Sequence, residues 1–197
     1  MEEKKHLVVT IGRQSGSGGR EVGEQLARRL GIPVYGKEEL SEMARKTKDY
    51  EEVRSFYEEE PVDSLLYAIA MNNLEQSMER VPFRRIRELC ADHSCILIGR
   101  CGSSIFKGEQ DAVRIFIHGD RDWRLRHIME REGLTERKAA AFLEETDKKR
   151  SSFHRYYTHR EWGLAEDYEL CLDSSVLGIE GTTEAIVRYL RFRGMIE

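Results

Sequence analysis

Gly16, Gly18 and Gly19 fall within four positions, with Ser15 and Ser17 interleaved, Arg13 and Arg20 on either side, and Glu21 directly after. Without a Cβ, successive backbone N–H groups can turn inward on a single anion, and flanking guanidinium groups add charge and directed donors. Two further arginines stand where they could meet a phosphate. Arg100 follows Gly99 at the end of an apolar run, and Arg150 lies three residues after Asp147 in a stretch, 147–160, that concentrates cations and tyrosines. Glycine-rich backbone and several arginines are the parts of a site that holds phosphate groups.

The elements around these residues support the same chemistry. Leu7 to Ile11 is a short apolar run rich in β-branched residues, as in a strand buried on both faces of a parallel sheet. Glu21 to Leu30 carries Val22, Leu26, Ala27 and Leu30 on one helical face. Strand, glycine loop and helix together make a phosphate cradle at a helix N-terminus. Spacing identifies its type. The dinucleotide fingerprint requires glycine three residues after Gly18, and Glu21 is there. The pattern G-x-x-x-x-G-K-[ST] fits in place but not in content: with Gly18 as the second glycine, Arg13 holds the first glycine position and Gly19 the lysine position. A βα turn that binds nothing would need neither so many glycines nor the two arginines.

The 197 residues suit one domain with a proper core. A formal charge of -4, with 35% charged residues, gives no broad basic face, which argues against nucleic acid and membrane partners. Cys90, Cys95, Cys101 and Cys171 form no C-x-x-C pair, so buried thiols are expected. The apolar run after His6 is only five residues, too short for a signal peptide or a membrane span, and the reading is cytoplasmic.

Further along, Val34-Tyr35 reads as a short extended piece and Lys37 to Lys46 as a helix. Asp49 to Glu60 reads as a solvated connection, and a long helix from Val62 is separated by Pro82 from a second one. Cys95 to Ile98 and Val113 to Ile117 are buried strands. Asp120 caps a helix ended by Gly133, and another begins near Thr135. Tyr168 to Asp173 closes the sheet, followed by an amphipathic helix over Thr182 to Phe192.

Ile11-Gly-Arg-Gln-Ser-Gly-Ser-Gly-Gly-Arg-Glu, Gly99-Arg100, Asp147-x-x-Arg150 and Leu172-Asp-Ser-Ser175 resemble, in that order, the loop, the monophosphate-binding pair, the nucleotide-directed pair and the closing turn of the cytidylate kinase-like family. The resemblance covers nearly the whole chain. It implies an α/β P-loop NTPase fold, three-layer α/β/α with a parallel sheet, a helical acceptor-binding region at 37–92 and a small lid near 147–162. It also implies transfer of the ATP γ-phosphoryl to a small phosphate acceptor, a pyrimidine nucleoside monophosphate such as CMP, with Mg2+. Arg13, Ser15, Gly16, Ser17, Gly18, Gly19, Arg20 and Glu21 would hold the donor. Arg20, Arg100, Asp147 and Arg150 would act on the reacting groups.

Two departures from the family pattern bear on catalysis. Gly19 supplies no charge, so Arg13, Arg20 or a lid arginine such as Arg150 or Arg155 would have to. The hydroxyl after the lysine is missing, and Glu21 is either a metal ligand or a helix-start glutamate favoured by the macrodipole. A kinase for a non-nucleotide acceptor, and a nucleotide-binding protein without catalysis, stay as alternatives. The sequence gives no oligomeric state.

Overall fold

The computed structural model describes residues 6–45, 50–58 and 77–197. β1 (Val8–Arg13), β2 (Val34–Tyr35), β3 (Cys95–Ile98), β4 (Ala112–His118) and β5 (Leu170–Asp173) form one sheet in the order β2-β3-β1-β4-β5, with every neighbouring pair parallel. β1 is therefore central, and its loop opens between the ends of β3 and β4. Helices α1 (Gly19–Leu30), α2 (Lys37–Ala44), α3 (Tyr50–Glu58), α4 (Ser77–Ala91), α5 (Gly102–Ile105), α6 (Arg121–Glu132), α7 (Glu136–Thr158) and α8 (Ser174–Phe192) lie between and after the strands.

Alternation along the strands sorts the core into two layers. Val9, Ile11, Ile96, Ile98, Ile115 and Ile117 pack with Val22 and Leu26 of α1 and Ile186 and Leu190 of α8. Val8, Cys95, Leu97 and Ala112 face the other way, against Ile86 and Cys90 of α4, Ile105, and Phe153 and Tyr157 of α7. Each such aliphatic side chain contributes about 1.5–3 kcal/mol when fully buried, so uniformly apolar strands demand a helical layer on both faces. α6 and α7 share a smaller cluster of Leu125, Ile128, Ala139 and Leu143.

Two expectations are corrected. Residues 50–58 are not a solvated connection but helix α3, and Phe56 is fully buried, stacked edge-on against Tyr157 with ring centres 4.8 Å apart. A single well-placed aromatic outweighs the acidic composition around it. Pro82 does not separate two helices; it lies inside α4, which continues because Ile86 and Cys90 beyond it reach the core. Positions 46–49 and 59–76, including the expected helix from Val62, lie outside the described residues. Most of the stretch expected as a lid belongs to the long helix α7. Cys90, Cys95 and Cys101 are buried thiols, and Cys171 is an exposed one. No helix among the described residues is long and apolar enough to cross a membrane.

Candidate active site

The glycine loop, Gln14 to Gly18, is held from four directions. Gln14 N–H donates to Ile117 O at 3.0 Å, and its side-chain oxygen accepts from Gly119 N–H at 3.2 Å, tying the loop to the end of β4. Gly16 and Gly18 both adopt left-handed backbone, φ 72° and 69°. A Cβ at Gly16 would stand 2.6 Å from the Arg124 carbonyl oxygen, so only glycine fits. From α6, Arg124 donates to Ser15 O at 3.1 Å and pairs with Asp147 at 2.7 Å, while His127 Nδ1 donates to Gly16 O at 2.9 Å. From α8, the Ser174 hydroxyl lies 2.8 and 2.9 Å from the carbonyl oxygens of Ser17 and His118. Gly18 O takes the Val22 N–H at 2.9 Å, and the N–H groups that precede it at the start of α1 have no intrahelical acceptors, as at any helix start where an anion can bind.

Arg100 lies beside this loop for a topological reason. Ile11 pairs with Ile98, and Gly99 N–H donates to Ile11 O at 3.0 Å, so Gly12-Arg13 and Gly99-Arg100 leave adjacent strands at the same level. The Arg100 side chain is enclosed, with only 2% of the residue exposed, and its guanidinium lies 5.8 Å from the centre of the Phe153 ring. A pocket forms here, lined by Arg13, Arg100 and Arg150 with Ser103, Phe153, His154, Trp162 and Tyr168 and by the backbone of Gly12, Gly99 and Gly102. Among the described residues, no carboxylate lines it. Burial pushes His154 down to about 4, so its imidazole is neutral near pH 7, and pushes the Tyr168 phenol up to about 12. The positive character of the pocket therefore comes from the arginines alone.

The remaining site residues are placed as follows. Arg20, expected to reach the donor phosphates, points its guanidinium away into a cluster with Glu24, Glu38 and Glu39 at 2.8–2.9 Å. Asp147, expected to close over the reacting groups, accepts from Ser15 N–H at 2.6 Å while bound to Arg124. Arg150 donates to Arg13 O at 3.3 Å and lines the pocket. The side chain of Arg155 is mostly exposed, 3.6 Å from Glu161. Glu21, expected as a metal ligand, has one oxygen 3.5 Å from His127 and 3.4 Å from Arg131, and the other is buried without a hydrogen-bond partner. No group of three His, Cys, Asp or Glu side chains that could hold a metal gathers among the described residues. Arg124 and His127 were not singled out from the sequence, although their i, i+3 spacing on the polar face of a capped helix is a readable sign of a shared target.

A five-stranded parallel sheet with a glycine loop closing on a helix N-terminus at its central strand, and a buried arginine on the adjacent strand, defines the P-loop kinase class. Within that class the chain belongs to the cytidylate kinase-like family, whose profile matches residues 8–176. It is similar to the solved structure of an uncharacterized protein from Eubacterium ventriosum, 28% identical, with a TM-score of 0.71 over 94% of this chain and 98% of that one. The fold is shared with a shikimate kinase from Acinetobacter baumannii in complex with shikimate, 13% identical, TM-score 0.50, over 95% and 94% of the two chains. A gluconokinase from Sinorhizobium meliloti is 16% identical, TM-score 0.50, over 97% and 99%. No curated protein matches the chain.

Proposed function

We propose that the protein transfers the γ-phosphoryl group of ATP to a small phosphate-bearing acceptor, a pyrimidine nucleoside monophosphate such as CMP, in the presence of Mg2+. The observation that carries this is the adjacency of the glycine loop on β1 to the enclosed Arg100 on β3, with a pocket free of carboxylates beside them. Neighbouring strands run about 4.8 Å apart, so two anions held at these strand ends come close enough to react. The backbone N–H groups of Gly16 and of Gly18 to Arg20 cradle the donor phosphates, those of Ser15 and Ser17 being bonded to Asp147 and Gln14, and Arg20 contributes its main chain and not its guanidinium. Arg100 grips the acceptor phosphate, and Arg150 approaches from α7. An acceptor phosphate oxygen attacks the γ-phosphorus as the bond to the β-bridging oxygen breaks, and ADP leaves with that electron pair. Bound with the nucleotide, Mg2+ would supply neutralisation of phosphate charge, and no side chain among the described residues is assigned to hold it. Helices α2, α3 and α4 would receive the rest of the acceptor, and the stretch near 147–162 would close over it.

One specific feature favours a second reading. Gly19 stands where the loop lysine would, as it would in a protein that binds nucleotide without turnover. A magnesium-dependent assay with ATP against CMP, dCMP, UMP, AMP and non-nucleotide acceptors, reading ADP and phosphorylated product together, separates the two. Product from a pyrimidine monophosphate is expected. Product only from another acceptor overturns the substrate, and ATP binding without product from any acceptor overturns the kinase in favour of the binder.

A further inference from the structure

The missing lysine and the extra arginine of the loop are in contact. Arg13 is the last residue of β1 and Gly19 the first of α1. A Cβ built on Gly19 would stand 2.5 Å from Arg13 Cβ and 2.9 Å from Arg13 Cγ. Any side chain at position 19 would thus be driven into the stem of Arg13. The far end of the same side chain lies over Gly99, where the Arg13 guanidinium fills the space a side chain would need and where φ is 79°. Arg13 therefore runs from the first turn of the phosphate-binding helix to the residue before Arg100, and both Arg13 and Gly99 line the pocket.

The other cations considered for the missing charge are placed less well. Arg20 is committed to three glutamates, and Arg155 projects outward. Arg150 is pocket-lining but approaches from α7, across the Arg13 carbonyl. We infer that Arg13 and Gly19 are an exchanged pair: the charge that a P-loop ordinarily carries as lysine at the helix start is delivered here by Arg13 from the strand end, and position 19 is glycine because the Arg13 stem occupies the room of its Cβ. The planar guanidinium lies between cradle and Arg100, where a donor γ-phosphate and an acceptor phosphate would meet. It can bind oxygens of both, which a lysine point charge does less specifically.

This inference rests on the proposed nucleotide reading, and its test keeps the two apart. Binding of ATP and of AMP, each with Mg2+, is measured by calorimetry alongside melting temperature for the native protein, Arg13→Gln, Arg13→Gly, Gly19→Lys and the double variant Arg13→Gly/Gly19→Lys. Arg13→Gln keeps the stem against Gly19 and removes the charge. It is expected to stay folded and to lose about 10- to 100-fold in ATP affinity, with AMP affinity changed far less. Gly19→Lys alone is expected to lower the melting temperature through the clash. The double variant, which restores the G-x-x-x-x-G-K pattern, is expected to regain at least about tenfold of the affinity lost in Arg13→Gly. ATP binding by the native protein that survives Arg13→Gln overturns the inference alone, as does a double variant no better than Arg13→Gly. Failure of the native protein to bind ATP overturns the nucleotide reading and the inference together.

Discussion

The glycine loop and the arginine pocket end adjacent parallel strands, yet each is held in place by different means. The loop is fixed by directed hydrogen bonds: its own Gln14 ties it to the end of β4, and Arg124 and His127 of α6, Asp147 of α7 and Ser174 of α8 engage its carbonyls and the Ser15 N–H. The pocket is fixed by enclosure, with Arg100 against Phe153 and Trp162 and Tyr168 in the wall around it. A charge in such a low-dielectric wall acts strongly on an incoming anion, whereas the loop needs only the right shape. Changes in the loop should therefore register first as lost stability, and changes in the pocket as lost chemistry.

The largest expected effect is on the pocket side. Arg100→Met should lower phosphotransfer by about 10³-fold or more while ATP affinity stays within about threefold, read from initial rates and calorimetry. A parallel loss of ATP affinity would break the assignment of Arg100 to the acceptor. Next, Gly16→Ala puts a Cβ against the Arg124 carbonyl in a left-handed backbone and should cost about 2–4 kcal/mol, seen as a melting temperature lowered by roughly 5–15 °C. An unchanged melting temperature would mean the loop is not fixed in the way described.

The neutral His154 supplies a pH test of enclosure. Its folded-state pKa, about 4, lies below the ordinary 6.5, so between those values the unfolded chain binds the proton and the folded protein does not. Stability from this source is full above about pH 6.5 and declines as pH falls toward 4, by roughly 3 kcal/mol in total. Unfolding titrations of His154→Gln across that window should show a flatter slope than the native protein; equal slopes would place His154 in contact with water. The smallest effect belongs to Arg20→Ala. The side chain is 41% exposed, with its guanidinium among the glutamates, so removal should cost at most about 1 kcal/mol, and ATP affinity should move by at most about threefold. A larger loss would return the Arg20 side chain to the cradle.

The parts legible in the sequence were those set by local pattern. The uniformly apolar runs around Val9, Ile96 and Ile115 announced strands covered on both faces, and the glycines announced the turn between β1 and α1. Helix α3 was hidden because its fit depends on Phe56 meeting Phe153 and Tyr157, roughly a hundred residues later, and no local period records that meeting. Arg20 was drawn to the phosphates by proximity in sequence, but Glu38 and Glu39, brought by α2, hold it elsewhere. Arg124 and Asp147 carried no visible sign of each other, since their pairing depends on how α6 packs against α7. Long-range side-chain partners are a property of packing, and composition alone underdetermines them.

The contact between Arg13 and Gly19 also bears on how such a loop changes through descent. If the pair is exchanged as inferred, Arg13→Gly removes the charge and Gly19→Lys introduces a collision, so each single step toward the common lysine-bearing loop passes through an impaired protein. The two forms are then separated by a fitness valley and would persist as distinct lineages of one ancestral loop. Selection for activity from either single variant should recover change at the other position, and a lineage that readily crosses by single steps would show the valley to be absent.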